Sequence, residues 1–244
     1  MIQVQGLYKS FKNVKAVQGV SFQASNSQIT GLLGPNGAGK TTTLRILYTV
    51  IQPDAGSALV DGYDTVKQSI EVQRCIGALP DSHGLYPRLT ARENISYYGR
   101  LHGLTGEKLE KQIDDLIQML EMHDIENRRT EGFSSGERVK VAIARALVHD
   151  PQNVLLDEPT NGLDVMSTRS MRAFIHRLSE RGKCVLFSSH IMQEVSALCD
   201  NIIIMSRGEV AASGTPQQIL ASTRQTNLED AFVAAIGSEE GLLK

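Results

Sequence analysis

The segment from residue 29 to residue 47 constrains the fold of this chain more than any other part of its sequence. The pattern G-x-x-x-x-G-K-[ST] is met in full by Gly34-Pro35-Asn36-Gly37-Ala38-Gly39-Lys40-Thr41-Thr42. The apolar run 29–33 before it predicts a strand, and residues 41–47 after it predict a helix. Strand, glycine-rich loop and helix, in this order, are the context that a phosphate-binding loop requires.

This loop predicts that the chain binds a nucleoside triphosphate. Its glycines let successive backbone N–H groups turn inward toward phosphate oxygens, and the following helix adds the positive end of its dipole. The Lys40 ammonium reaches the β- and γ-phosphates, and the Thr41 hydroxyl is a candidate ligand for Mg²⁺. The alternative, a glycine-rich turn that precedes a helix by chance, is disfavoured because the motif and both flanking elements are complete.

Composition argues against several classes of protein. The 244 residues suffice for one large domain, and 41% hydrophobic and 21% charged residues are ordinary for a soluble globular protein. A net charge of −2 provides no basic field, so we expect no nucleic-acid partner. The three cysteines lie far apart and form neither a metal nor a disulfide pattern, which fits a reducing cytoplasm.

The sequence also contains no signal for a membrane span or for secretion. No run of residues approaches the ~18 consecutive apolar positions that a span requires, and the N-terminus lacks a basic and then apolar leader. We therefore expect the chain itself to be cytoplasmic. Any work at a membrane would require a partner that supplies the span.

The order of apolar runs predicts one α/β domain over residues 1–244. Runs of strand length alternate with helices, which predicts a mostly parallel sheet buried on both faces. We assign this core to residues 1–89 and 150–222, and an inserted helical subdomain to residues 90–149. Residues 223–244 are predicted to form a C-terminal helical tail with a loose end.

A second candidate catalytic element stands at the end of an apolar strand. Val154-Leu155-Leu156 predicts a buried strand, and Asp157 and Glu158 follow at its carboxyl end, where open α/β sheets bind ligands. Asp157 is a candidate Mg²⁺ ligand, and Glu158 is placed to polarise an attacking water. Two carboxylates after a strand also occur as a plain acidic turn, but behind a complete phosphate loop they favour phosphoryl-transfer chemistry.

Two further features narrow the function. Ser134 and Glu137 have capping-box spacing before the predicted helix 138–147, and such a helix start is also an anion site. His190, after the predicted strand 184–187, is placed to donate a hydrogen bond to a γ-phosphate. Taken alone, the first feature favours a plain capped helix, and a lone histidine such as the second is usually a structural or surface residue.

Together these features resemble the nucleotide-binding subunit of an ABC transporter over nearly the whole chain. The matching segments are Gly34–Thr42 for the Walker A loop, Phe133–Glu137 for the LSGGQ signature, Val154–Glu158 for Walker B, Asn161–Asp164 for the D-loop and His190 for the switch histidine. The resemblance implies the α/β fold of the P-loop NTPases. That fold has a RecA-like core with a mostly parallel sheet, an N-terminal antiparallel β-subdomain and an inserted α-helical subdomain.

The resemblance also implies an active site shared between two copies of the chain. Two copies would sandwich two ATP molecules, so that Ser134-Ser135-Gly136-Glu137 of one copy faces the γ-phosphate held by Lys40 of the other. The implied cofactors are ATP and Mg²⁺. Hydrolysis to ADP and phosphate, with Glu158, His190 and Lys40 as the implied catalytic residues, is coupled in this family to motion of an integral membrane permease.

The match to the family pattern leaves three positions open. Phe11 resembles the aromatic residue that stacks on adenine, with Tyr8 as a nearby alternative, although either could be a buried core aromatic. Asp81 stands where a Q-loop glutamine is usual; its carboxylate can bind Mg²⁺ or water but reaches less far and carries charge. Ser135 replaces a signature glycine, which leaves the local backbone less free.

Within the family, residues 84–95, 98–103, 164–165 and 186–195 resemble the NatA-type exporter ATPases. That group is associated with sodium extrusion and with export through small hydrophobic permeases. The resemblance therefore implies an exporter subunit on the inner face of the cell membrane, with sodium as a candidate cargo. Two alternatives are a soluble ABC ATPase with a non-transport role and a non-hydrolysing nucleotide sensor, and Glu158 and His190 disfavour the sensor.

Overall fold

The strands of this chain form two sheets, and helices pack around them. The computed structural model describes residues 1–81 and 84–237. The strands in these residues are β1 (Ile2–Phe11), β2 (Val14–Ala24), β3 (Gln28–Leu33), β4 (Ala55–Val60), β5 (Tyr63–Asp64), β6 (Ile76–Leu79), β7 (Asn153–Asp157), β8 (Cys184–Ser189), β9 (Asn201–Ser206) and β10 (Glu209–Gly214). The α-helices are α1 (Lys40–Leu47), α2 (Ser69–Cys75), α3 (Ala91–Leu101), α4 (Gly106–Met119), α5 (Ser135–Leu147), α6 (Val165–Glu180), α7 (Met192–Leu198), α8 (Pro216–Thr223) and α9 (Leu228–Ile236).

The smaller sheet is antiparallel and has the strand order β2-β1-β4-β5. Along β1 the side chains of Ile2, Val4 and Leu7 are buried, while Gln3 and Gln5 between them are exposed. Alternation of this kind is expected where one face of a sheet packs on the core and the other meets water. The sheet confirms the predicted antiparallel β-subdomain.

The larger sheet has six strands in the order β10-β9-β3-β8-β7-β6, and all neighbours are parallel except β10 and β9. Both of its faces are buried. Leu155 and Leu186 point into the apolar cluster shared with α1 and the antiparallel sheet, whereas Val154 and Phe187 point into the cluster shared with α3 to α6. This arrangement confirms the predicted α/β fold with a mostly parallel sheet.

The chain between β6 and β7 is mainly helical. Helices α3, α4 and α5 pack together around an apolar cluster that includes Ile95, Ile113 and Ile143. Thr90-Ala91-Arg92-Glu93 has the same capping-box spacing as Ser134 and Glu137, and Thr90 caps α3 and Ser134 caps α5 with the reciprocal hydrogen bonds that this spacing predicts. The division of the chain into residues 1–89, 90–149, 150–222 and 223–244 remains a prediction.

One predicted turn lies partly in a strand. The sequence of residues 52–56 predicts a turn, but β4 already begins at Ala55. Gly56 serves a close approach between strands, because a Cβ atom on it would lie 2.1 Å from the backbone oxygen of Gly6 in β1. Gly56 is therefore required by the packing of β4 against β1. The local sequence alone does not distinguish such a glycine from a turn glycine.

The helical spacing of apolar residues in 107–122 predicts a helix that ends early in the structure, and the predicted tail is only partly described. Helix α4 stops at Met119, and Glu121 then adopts a left-handed φ of 53°. In the tail, α9 is present as a short helix, while residues 238–244, including the expected loose end, lie outside the described residues. Among the described residues, no helix has both the length and the apolar character that a membrane span needs.

Candidate nucleotide-binding site

The carboxyl ends of β3, β8 and β7 meet at one edge of the six-stranded sheet. Leu33 pairs with Ser189, and Asp157 pairs with Ser188, so the three strands end side by side. This edge is where open α/β sheets bind their ligands. The structure brings the phosphate loop after β3, the acidic pair at the end of β7 and His190 after β8 together there.

Two glycines of the phosphate loop occupy positions that leave no room for a side chain. Gly39, directly before α1, has a φ of 100°, and a Cβ atom on it would lie 2.5 Å from the backbone oxygen of Ala16. A Cβ atom on Gly34 would lie 2.3 Å from the backbone oxygen of Met205. The loop is therefore pressed against β2 and β9, and α1 begins at Lys40 with its positive end at the loop.

The side chain of Lys40 folds over the phosphate loop. Its Nζ donates hydrogen bonds to the backbone oxygens of Gly34 at 2.8 Å and Pro35 at 3.2 Å. It also lies 3.5 Å from Glu158 Oε1, and only 5% of the lysine is exposed. Because a buried ammonium is costly without oxygen partners, these contacts hold a positive charge at the centre of the site.

Asp157 is a buried carboxylate beside the loop. Its Oδ1 accepts hydrogen bonds from Ser188 Oγ at 2.6 Å and from Thr41 Oγ1 at 3.2 Å. Burial raises the pKa of Asp157, and although the two hydroxyl donors lower it, the negative charges of Asp81 and Glu158 add to the rise. The ionised form of Asp157 would therefore be stabilised by a cation beside Thr41.

Thr41 and Asp157 form a donor set that fits Mg²⁺. Both groups present oxygen atoms, which are the ligands that Mg²⁺ prefers, and the hydrogen bond between them shows that they reach the same point. A site of this kind supplies one or two protein ligands and leaves the others to substrate phosphates and water. Bound there, Mg²⁺ would neutralise phosphate charge.

Glu158 and His190 face each other across the ends of β7 and β8. His190 Nδ1 lies 2.8 Å from Glu158 Oε2, and the backbone N–H of Glu158 donates a hydrogen bond to Ser188 Oγ at 3.0 Å. Glu158 has a left-handed φ of 51°, which is uncommon for a residue other than glycine. A strained backbone at a carboxylate that contacts both Lys40 and His190 is typical of a functional site.

Lys40, Thr41, Glu158 and His190 line one cleft of about 420 Å³, a size typical of small-molecule sites, and Asp157 is hydrogen-bonded to Thr41 at its edge. The residues that line it are Val14, Ala16, Asn36, Gly37, Ala38, Gly39, Lys40, Thr41, Thr42, Asp81, Glu158, Asn161 and His190. Asp81 thus lies at the cleft, directly after β6 and Pro80, as a Q-loop residue would. The cleft joins the phosphate loop to the candidate catalytic carboxylate.

The predicted residues Gly34, Pro35 and Asp157 do not line the cleft but are hydrogen-bonded to Lys40 or Thr41, which do. The aromatic candidates and the signature segment also lie outside it. Phe11 is 46% exposed at the end of β1, so it is not a core aromatic, and the cleft wall nearby is formed by Val14. Tyr8 is also exposed, and its hydroxyl packs over Gly19. Within the part of the chain that the structure describes, residues 134–137 do not line the cleft either.

The segment Ser134–Glu137 forms an exposed helix start. Ser134 Oγ accepts a hydrogen bond from the Glu137 N–H at 3.3 Å, and Glu137 Oε2 accepts one from the Ser134 N–H at 2.7 Å. Burial opposes ionisation of Glu137, but the Ser134 hydrogen bonds and the Arg128 guanidinium lower its pKa overall. Glu137 is therefore engaged within its own chain, whereas Ser134 and Ser135 are exposed at the surface.

Sequence reasoning missed several residues of the site. Ser188 contacts both members of the acidic pair, and its only signal was its place in the hydroxyl pair before His190. Asn161 was noted as part of the D-loop but not as a residue of the cleft. Val14 and Ala16 gave no signal, because their approach to the loop depends on how β2 packs in the folded chain.

The fold and the cleft define a nucleoside triphosphatase with a phosphate loop, and comparisons with known proteins specify its family. The ABC transporter family model matches residues 17–161. ABC transporter ATP-binding protein NatA of Bacillus subtilis (strain 168) is 48% identical over 92% of this chain and 92% of its own length. Nod factor export ATP-binding protein I of Rhizobium sp. (strain N33) is 34% identical over 90% of this chain and 72% of its own length.

A solved structure agrees with this result. It is the dimeric, post-hydrolysis state of an ATP-binding cassette bound to ADP and phosphate. It matches with a TM-score of 0.80 and 26% identity, and the match covers 88% of this chain and 98% of that chain. This chain belongs to the ATP-binding subunits of ABC transporters, and it is accordingly an ATPase. The predicted family and its NatA-type character are thereby confirmed.

Proposed function

We propose that this chain hydrolyses ATP to drive a separate membrane permease as one subunit of an ABC exporter. The observation that carries the proposal is the contact of Glu158 with both Lys40 and His190 inside one cleft, since it joins phosphate binding to a base. The export assignment is supported by the relative named for Nod factor export and by the NatA-type tracts. Through the permease, the chain would lie on the inner face of the membrane.

In the proposed reaction, the loop 34–42 binds the phosphates of ATP, and Lys40 neutralises the charge of the β- and γ-phosphates. The phosphates then compete with Glu158 for Lys40, which lies 3.5 Å from the carboxylate. Glu158, oriented by His190, polarises a water toward the γ-phosphorus. Thr41 and Asp157 would hold Mg²⁺, and Asp81 is a further candidate ligand at the edge of the cleft.

The second half of the site is proposed to come from a second copy of the chain. Ser134 to Glu137 form an exposed helix start outside the cleft of their own chain. A helix N-terminus stabilises an anion, so this segment would complete the γ-phosphate site of the partner copy. The dimeric form of the solved cassette supports this arrangement.

Replacing Ser134 with alanine is expected to weaken ATP-driven dimerisation at least about tenfold, because one hydrogen bond to a charged phosphate is lost. The ATP affinity of the monomer should stay within about twofold. Sedimentation distinguishes monomer from dimer when the substitution is placed in a variant of the chain that hydrolyses ATP slowly. Thr90→Ala removes the matching cap of α3 and controls for the loss of helix capping, which costs about 1 kcal/mol. Equal dimerisation of Ser134→Ala and the parent would contradict the cross-dimer role.

The exporter assignment is tested by transport in inverted membrane vesicles, with sodium as the first cargo. Vesicles from the native host are expected to take up sodium when ATP is supplied, and vesicles from a strain lacking this chain to lose that uptake. The wild-type chain should restore it, and Glu158→Gln should not. Sodium uptake that does not depend on the chain would contradict sodium as cargo. Failure of the chain to sediment with the membranes would contradict the permease-coupled role and favour a soluble ABC ATPase.

A further inference from the structure

A buried carboxylate outside the proposed catalytic set connects the loops that carry Glu158 and His190. Glu194, in the first turn of α7, is only 3% exposed. Its Oε2 accepts a hydrogen bond from Thr160 Oγ1 and another, at 3.1 Å, from Ser189 Oγ. Thr160 and Ser189 are themselves buried, so the three side chains form a small polar network inside the protein.

Each hydroxyl of this network belongs to a segment that carries a proposed catalytic group. Thr160 lies in the turn that starts at Glu158, which is closed by a hydrogen bond from the Asn161 N–H to the Glu158 oxygen at 3.1 Å. Ser189 directly precedes His190, and its Oγ accepts a hydrogen bond from the Ile191 N–H at 3.0 Å. One carboxylate oxygen therefore fixes the distance between the two segments.

Burying a carboxylate at this position carries a cost. A carboxylate loses its hydration inside a protein, and two neutral hydroxyl donors replace that hydration only in part. An apolar side chain of similar size would avoid this cost. The polar network therefore differs from the apolar clusters around it. Its two hydroxyl residues belong to the same segments as Glu158 and His190, which contact each other at 2.8 Å.

We propose that Glu194 is a positioning residue for ATP hydrolysis. By holding Thr160 and Ser189 on one carboxylate oxygen, it keeps Glu158 and His190 at the separation that orients the attacking water. This inference rests on the proposed roles of Glu158 and His190. Among the described residues that line the cleft, Glu194 is absent, so its effect reaches the reaction only through the two loops.

The test compares steady-state ATP hydrolysis by Glu194→Ala and Glu194→Gln. Alanine removes both hydrogen bonds, and we expect kcat to fall about tenfold to a hundredfold, because small displacements of reacting groups have effects of this order. The KM for ATP should stay within about twofold, since the phosphate loop is untouched. Glutamine retains an oxygen that can accept both hydroxyls, and it should restore kcat to within about threefold of the wild type.

Further variants separate positioning from folding. Thr160→Val together with Ser189→Ala removes the two donors while leaving Glu194 in place, and it should reproduce the loss of kcat even if Glu194→Ala does not fold. Gln193→Ala, on the exposed side of the same helical turn, is the matched control and should stay within about twofold. A full kcat in the double variant, or a rise in KM equal to the fall in kcat, would overturn the positioning role.

The two proposals fail in different ways. If Glu158→Gln and His190→Ala are inactive while Glu194→Ala keeps a full kcat, only the positioning role is wrong. If Glu158→Gln hydrolyses ATP at the wild-type rate, the proposed catalytic roles themselves are wrong. A kcat for Glu194→Gln as low as that of Glu194→Ala would also overturn the inference, because the two hydrogen bonds would then not be what matters.

Discussion

Glutamine in place of Glu158 is expected to lower ATP turnover by about 10³-fold or more while ATP affinity stays within about threefold. Glutamine keeps the size of the side chain but removes the charge that polarises the attacking water. It also removes the attraction between Glu158 and Lys40, which lie 3.5 Å apart, so that phosphates meet less competition for the lysine. Phosphate release in single and multiple turnovers measures the ATP turnover. Titration with a fluorescent nucleotide measures the affinity.

The matched control for this variant is Glu180→Gln. Glu180 is an exposed carboxylate at the end of α6, and its neutralisation changes the net charge equally without touching the cleft. Turnover of the control should equal that of the wild type. Hydrolysis by Glu158→Gln at the wild-type rate would show that another group positions the water.

Lys40→Ala is expected to weaken ATP binding by about 10²-fold or more. Each hydrogen bond from a charged donor to phosphate is worth about 1.5–3 kcal/mol, and every 1.4 kcal/mol is about a factor of ten in affinity. The variant also leaves Glu158 without the cation that lies 3.5 Å from its Oε1, so the site gains unbalanced negative charge that repels the nucleotide. Isothermal titration with ATP gives the dissociation constant directly.

Lys183→Ala controls for the loss of one positive charge. Lys183 pairs with Asp150, just before β8 at the amino ends of the parallel strands and far from the phosphate loop in the sheet. Its variant should bind ATP as the wild type does. An unchanged dissociation constant for Lys40→Ala, with an unchanged melting temperature, would contradict the assignment of the phosphate loop.

The parts of this molecule that sequence analysis predicted correctly are those fixed by local pattern. Apolar runs such as 154–156 and 184–187 identified strands buried on both faces, because strands in a parallel sheet need little polar surface. The capping boxes at Thr90 and Ser134 also depend on residues three positions apart in the chain. The phosphate loop is recognisable from its glycines, and at Gly39 the structure shows why: a side chain there would collide with the backbone of β2.

The features that the sequence could not predict depend on contacts between distant segments. Glu194, Thr160 and Ser189 meet only because β7 and β8 end side by side, and a glutamate in a short helix gave no sign of burial. Gly56 appeared as a turn residue because its close approach to Gly6 is made by pairing of β4 with β1. The expectation that Ser134 meets a second copy came from the family resemblance, because an assembly of two chains is not encoded in a local pattern.

ATP is proposed to join two copies of this chain through a shared site. The direct test is the solution mass of the Glu158→Gln variant, measured by light scattering with ATP and Mg²⁺, with ADP and without nucleotide. This shared site predicts twice the monomer mass with ATP and the monomer mass in the other two conditions. A variant that binds ATP at saturation and keeps the monomer mass would contradict it.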